Sequence, residues 1–234
     1  MSIRPAALFV IPAVLLAGPM TAAAAQAPSG QSDRRASDVA IGARVSLLGF
    51  GAEVSKLLTS HVGVRVGGNL FSYTIQGEEQ DNITYDGKAK WQSLSALLDL
   101  YPSPRGSFHL TGGLVTNPVK ATVTGRPTGG SFEINDNSYT AAEVGTLTGT
   151  GEFSSVMPYV GLGVGTAASN HGGFGFVFDL GVAIGKPTLS LTATGAANNA
   201  QLQSDLNAQI ATTQQDLDKV PVYPVLSLGV IYRF

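Results

Sequence analysis

From Val39 onward the chain is written in segments of about ten residues in which apolar side chains alternate with small or polar ones, each ended by turn residues. Alternation with period two is the mark of a strand whose two faces meet different surroundings. The first segment sets Val39, Ile41, Ala43, Val45 and Leu47 against Ala40, Gly42, Arg44 and Ser46, with a turn expected at Gly49-Phe50-Gly51. The second, Ala52 to Thr59, sets Val54 and Leu58 against Glu53 and Ser55, with Lys56 on the apolar face. After a short turn at Ser60-His61, Val62, Val64 and Val66 alternate with Gly63, Arg65 and Gly67, and the strand runs on through Leu70, Phe71 and Tyr73. The doubled Gly67-Gly68 is the expected place for a bulge that shifts the register.

A polar stretch from Gly77 to Lys88 reads as a loop. The fourth strand sets Leu94, Ala96, Leu98 and Leu100 against Ser95, Leu97 and Asp99, with Trp91 and Tyr101 at its two ends as interfacial aromatics. Pro102-Ser103-Pro104-Arg105-Gly106 is a strong turn. Beyond it Phe108, Leu110, Gly112 and Leu114 alternate with His109, Thr111, Gly113 and Val115. A long polar insertion from Thr124 to Ser155 precedes a sixth strand, Tyr159 to Gly165, with glycine at every other position. A turn at Asn170-Gly173 leads to a seventh strand whose face of Phe174, Phe176, Phe178, Leu180, Val182 and Ile184 opposes Gly175, Asp179 and Gly181. From Asn198 to Lys219 the period becomes helical, with Leu202, Leu206, Ile210 and Leu217 near one face. Pro221 and Pro224 end this amphipathic helix before a last strand that closes on Phe234.

The segments make eight strands, an even number that places both chain ends at the same rim. Connections after strands two, four and six are short and those after three, five and seven are long, so parity and loop length agree. Such a sheet closes on itself, because an open edge in lipid leaves N–H and C=O groups unpaired at several kcal/mol each. The expected fold is therefore all-β: an eight-stranded antiparallel transmembrane barrel with one amphipathic helix in the last long loop. A soluble β-sandwich would bury the apolar faces between two sheets, but it gives the export signal and the terminal aromatic strand no common explanation.

The export signal is the N-terminus, where Arg4 precedes an apolar run from Ala6 to Gly18 and small residues continue to Ala25. This is the layout of a cleavable secretory signal over 1–25; a flexible leader over 26–38 and the barrel over 39–234 complete the division. The apolar run is too short to span a bilayer as a helix, and Pro12 interrupts it. Composition agrees with an exported barrel: no cysteine, 29 glycines, and 14 Lys+Arg against 16 Asp+Glu. There is no basic footprint for nucleic acid and no thiolate metal site or nucleophile.

The ending from Tyr223 to Phe234 resembles the C-terminal signal of outer-membrane barrels, a glycine five residues before a terminal aromatic with another aromatic two before it. Gly229, Tyr232 and Phe234 match, whereas Leu228 departs from the polar residue often found there. The mature chain is similar to the small OmpA/OmpX/OmpW-like barrels, a resemblance carried by strand count and layout. It implies a bacterial outer-membrane location, insertion by the barrel-assembly machinery, and outer-membrane lipids and lipopolysaccharide as surroundings.

With apolar faces outward, Arg44, Glu53, Arg65, Asp99, His109 and Asp179 point inward. Eight strands leave an interior just wide enough for side chains, so these charges are expected to pair into a plug. The function this favours is a structural or surface-interaction barrel; the alternative is a narrow channel or transporter for small or apolar solutes. A lipid-modifying enzyme built on Ser107 and His109 is the weaker reading, because no acid or oxyanion hole is identifiable. No histidine pair has zinc-ligand spacing, and the acidic stretches Glu78-Asn82 and Asn135-Asn137 lack calcium-loop spacing, so no metal or cofactor is expected.

Overall fold

Alternating segments become strands only by finding neighbours, and here every segment finds two. The computed structural model describes residues 39–234 apart from 81–82, 105, 117–118, 166–172 and 220. The signal and leader read at 1–25 and 26–38 lie outside the described residues, as do His171 and most of the turn expected at 170–173. The strands are β1 (Val39–Ser46), β2 (Gly49–Leu57), β3 (Val62–Gln80), β4 (Ile83–Leu100), β5 (Phe108–Thr116), β6 (Lys120–Pro127), β7 (Ser131–Ile134), β8 (Asn137–Thr140), β9 (Leu147–Phe153), β10 (Val156–Gly165), β11 (Gly173–Ile184), β12 (Pro187–Ala193) and β13 (Val222–Arg233). The helices are α1 (Ala141–Val144) and α2 (Ala200–Leu217).

Eight strands form a closed antiparallel ring in the order β1-β2-β3-β4-β5-β10-β11-β13, with β13 returning to β1. No sheet edge is left in the ring, as lipid requires. Burial is inverted relative to a soluble protein: outward Val66 and Leu94 are 62% and 66% exposed, while inward Arg65 and Asp99 are 5% and 1% exposed. No described helix is long and apolar enough to cross a membrane.

On one side the wall continues past the ring. β4 pairs with β5 through Ser95–Leu100 and with β6 through Ile83–Lys90, so β6 prolongs the line of β5. In the same way β9 prolongs β10 and β12 prolongs β11, giving a sheet β3-β4-β6-β9-β12 beyond the barrel. α2 lies on β12, and the β7–β8 hairpin lies on α2. On the other side β1 and β2 stop at a tight turn, so the rim is tall over five of the eight strand positions and low over β13, β1 and β2.

The expected helix at 198–219 is α2, started by Asn199, whose side chain accepts a hydrogen bond from Leu202 N at 3.1 Å. Leu202 and Leu206 are fully buried beneath it. Several expectations need correction. The polar stretch 77–88 belongs mainly to β3 and β4, and the insertion 124–155 holds the second half of β6 together with β7, β8, α1 and β9. β6 and β9 consist mostly of small and polar side chains and carry no hydrophobic alternation to reveal them, and in β7 the alternation is only Phe132 and Ile134 against Ser131 and Glu133, too short to stand out. β12 is a further strand that the pattern did not single out.

The first turn is Leu47-Leu48 and not 49–51, since Ser46 pairs with Gly49. Gly49 takes φ +107°, and a Cβ there would lie 2.8 Å from Leu70 O. The Ser46 hydroxyl closes the turn, accepting from Leu48 N and donating to Gly49 O. Gly67-Gly68 holds an unbroken register with both neighbours; the shift lies instead between Ile75 and Glu78, beside Gly77 at φ +69°. Trp91 is not at a strand end but midway along β4, on its inner face, with its ring 5.2 Å from that of Phe71. Tyr101 likewise turns to the lumen side, its ring 5.3 Å from that of His109.

Candidate functional site in the filled lumen

Six strands bring the inward charges to one place. Arg65 on β3 is the centre: Nη1 donates to Asp179 Oδ2 on β11 at 2.9 Å, and Nη2 donates to Asp99 Oδ1 on β4 at 2.9 Å and to Asp179 Oδ1 at 3.1 Å. Its Nε lies 2.7 Å from Asp99 Oδ2, a charge contact without the alignment of a hydrogen bond. The Thr111 hydroxyl on β5 donates to Asp99 Oδ1 at 2.7 Å, and His109 Nε2 meets Asp179 Oδ1 at 2.9 Å. Glu53 on β2 links this group to Arg44 on β1, 3.9 Å from Arg65 Nη1 and 2.9 Å from Arg44 Nη1. Arg44 continues the network to Asn69 at 3.3 Å and Ser95 at 3.0 Å.

All five residues expected in the charge network, Arg44, Glu53, Arg65, Asp99 and Asp179, thus lie in one connected set, with His109 as a sixth member. Two guanidinium groups face three carboxylates, and the His109 ring meets one of the three, Asp179. Each charge is buried among partners, the condition under which a buried ion can persist. The lumen glycines make room for this. A Cβ on Gly163 would lie 2.4 Å from both Asp179 Oδ1 and His109 Nε2, so the β10 backbone forms the wall against which that pair rests.

Toward the rim away from the termini the ionic layer is covered by an apolar one, built from Leu48, Leu97, Val115, Met157, Tyr223 and Val225. Tyr223 donates its hydroxyl to Leu47 O at 2.8 Å, tying β13 to the first turn. Among the described residues, spaces of about 20 Å³ between the two layers and about 40 Å³ toward the terminal rim lie within the lumen. Such volumes hold a few waters at most. Alternation had assigned Leu97 and Val115 inward, but not the part played by Leu48, Met157 or Tyr223. Leu48 sits in a turn and Met157 precedes the clear part of its strand, so neither shows a period.

The residues of the terminal motif separate in space. Gly229 faces inward beside Arg44, where a Cβ would lie 3.2 Å from Arg44 Cβ. Tyr232 and Phe234 face outward, with ring centroids 5.1 Å apart, and Phe174 of β11 meets Tyr232 at the same distance. For the Ser107/His109 pair, the His109 ring nitrogens meet Asp179 and the Ser107 backbone oxygen, at 2.9 and 3.5 Å. No hydrogen bond joins His109 to the Ser107 hydroxyl among the described residues. No group of three or more His, Asp or Glu side chains that could hold a metal occurs among them either.

Outside the membrane, Asp205 of α2 holds the β7–β8 hairpin. Its carboxylate accepts from the Tyr139 hydroxyl, from Asn137 Nδ2 at 2.8 Å and from Asn135 Nδ2 at 3.2 Å. The Tyr139 hydroxyl, then Asn135, lead the contacts that keep Asp205 ionised below the usual carboxylate range. Burial, then the adjacent Asp205, push Tyr139 up to about 12. Because the Asp205 value is depressed on folding, its contribution is complete above the unfolded value near 4 and fades as pH falls through the folded one. The hairpin is therefore expected to lose hydrogen-exchange protection selectively in acid below about pH 4, while an Asp205→Asn variant should show less of that dependence. Equal acid sensitivity in both would refute this role of Asp205.

No family model matches the chain, and no curated protein sequence matches it. Among solved structures it is similar to CarO of Acinetobacter baumannii, at 18% identity, covering 84% of this chain and 98% of that one with a TM-score of 0.54. It is also similar to CarO2 of Acinetobacter baumannii, at 17% identity, covering 86% of this chain and all of that one with a TM-score of 0.55. At such identities the likeness is one of fold, and the fold is that of the small eight-stranded outer-membrane β-barrels.

Proposed function

We propose that the protein is a barrel of the Gram-negative outer membrane with a sealed lumen, whose working surface is the sheet and helix standing above the barrel. Export by removal of residues 1–25 and insertion by the barrel-assembly machinery through the ending at Gly229, Tyr232 and Phe234 belong to the same proposal. The rim with both termini then faces the periplasm, and the prolonged sheet with α2 faces outward. The observation that carries the reading is the filled interior: an ionic layer crossed by Arg65 and covered by an apolar layer, with spaces of about 20 and 40 Å³ beside them. A structural or surface-interaction role needs no path through the barrel. A catalytic role would need a free base, and His109 is already engaged through both ring nitrogens.

Planar-bilayer recording of the refolded protein tests the reading. The expected trace is silent. Steady single-channel steps would overturn the sealed lumen in favour of a narrow channel.

A further inference from the structure

The prolonged part of β4 carries on its outer face, in line with lipid-facing Leu94 and Leu98, the residues Gln92, Lys90 and Lys88. Lys90 stands four residues beyond Leu94, about 13 Å along the strand and less in height once strand tilt is counted. Across from Lys90 in the ladder is Lys120 of β6, and across from Lys88 is Thr122. Two lysines directly opposite each other repel, which disfavours the pairing unless an anion lies between them. On this face Lys120 is paired with Glu152 at 3.0 Å, and Arg126 is paired with Asp86. Lys88 and Lys90 have no anionic partner among the described residues, leaving two uncompensated positive charges just above the apolar belt.

Beside them the wall opens where β4 changes partner between Lys90 and Ser95. The cleft there, of about 1090 Å³, is lined at the outer face by Phe50, Leu70 and Leu94 on one side and by Lys90 and Lys120 on the other, with Glu152 also at its margin, and it reaches inward to Asn69 and Ser93. Apolar residues below and ammonium groups above match a lipid with acyl chains in the membrane and phosphate at its surface. We infer that Lys88, Lys90 and Lys120, with the cleft beneath them, form a binding site for a phosphate group of lipid A in the outer leaflet. This rests on the outer-membrane reading, which places that lipid at this height on this face.

The test uses the full-length barrel in phosphatidylethanolamine nanodiscs titrated with bisphosphorylated lipid A or with its dephosphorylated form. Wild type should prefer the phosphorylated lipid, and Lys88→Gln/Lys90→Gln should weaken its binding by roughly 30-fold, about fivefold per lysine near an anionic surface. Both lysines are exposed, and heat-modifiable gel migration checks that the variant is folded. Glu152→Gln, which releases Lys120, should tighten binding instead, a direction that general damage to the sheet would not produce. Equal affinity of wild type and double variant, or no preference for the phosphorylated lipid, would overturn the site. Membrane fractionation of cells making the wild type separates the two readings. Protein in the outer membrane without lipid A discrimination refutes only the site, whereas protein found elsewhere refutes the location on which it rests.

Discussion

Arg65→Ala is expected to destabilise the refolded barrel by about 3–5 kcal/mol, the cost of leaving buried charges without their partner. Asp99 and Asp179 would both lose the guanidinium that now touches four of their carboxylate oxygens. Neither can turn to water, since both lie in the lumen and are at most 5% exposed. Urea unfolding in detergent micelles, followed by heat-modifiable migration, measures the effect. An unchanged midpoint would mean that the network contributes nothing to the barrel. A second variant separates pairing from packing: Arg65→Met with Asp99→Leu and Asp179→Leu removes this triad of charges together and leaves Arg44 paired with Glu53. Because replacing a whole buried ionic cluster by apolar groups of similar volume is often near neutral, this triple variant should recover most of the loss.

Truncating α2 is the second large effect, and it should be local. Leu202 and Leu206 are fully buried under the helix, in a cluster with Leu191 and Ala193 of β12 and Tyr139 of β8. Leu206→Ala is expected to cost about 2–5 kcal/mol, the transfer free energy of the removed methyl groups plus the cavity they leave. The cluster is separate from the layer that covers the lumen, which shares none of its residues. Limited proteolysis should therefore cut the variant around α2 while the barrel keeps its heat-modifiable migration. Cutting no faster than in wild type would show that α2 is held by something other than this face. Loss of the barrel itself would show that the two clusters are coupled.

Inside the membrane the fold was legible because the environment imposes a period. Each spanning strand has one face in lipid and one in a crowded lumen, so Val66 and Arg65, or Leu98 and Asp99, are chemically opposed at neighbouring positions. Above the membrane that contrast weakens. β6 and β9 are built mostly of small and polar residues, and the alternation of Leu189, Leu191 and Ala193 with Ser190 and Thr192 in β12, set by α2 on one face, covers only a short strand; their places in the sheet come from their ladder partners. The turn at Leu47-Leu48 was hidden for the opposite reason. Leucines are not turn residues, and Leu48 is there because the top of the lumen needs an apolar side chain.

The amino-acid sequence by itself determined the closed eight-stranded barrel, the inward charges and the helix, since each follows from local period and from the demand that backbone in lipid be fully paired. Which inward groups meet was decided only by tertiary structure. The Arg65–Asp179 contact joins residues 114 positions apart, and it depends on the order β3-β4-β5-β10-β11 around the ring. Alternation fixes the face on which a side chain lies; registry between strands and the twist of the closed wall fix the height at which it finds its partner.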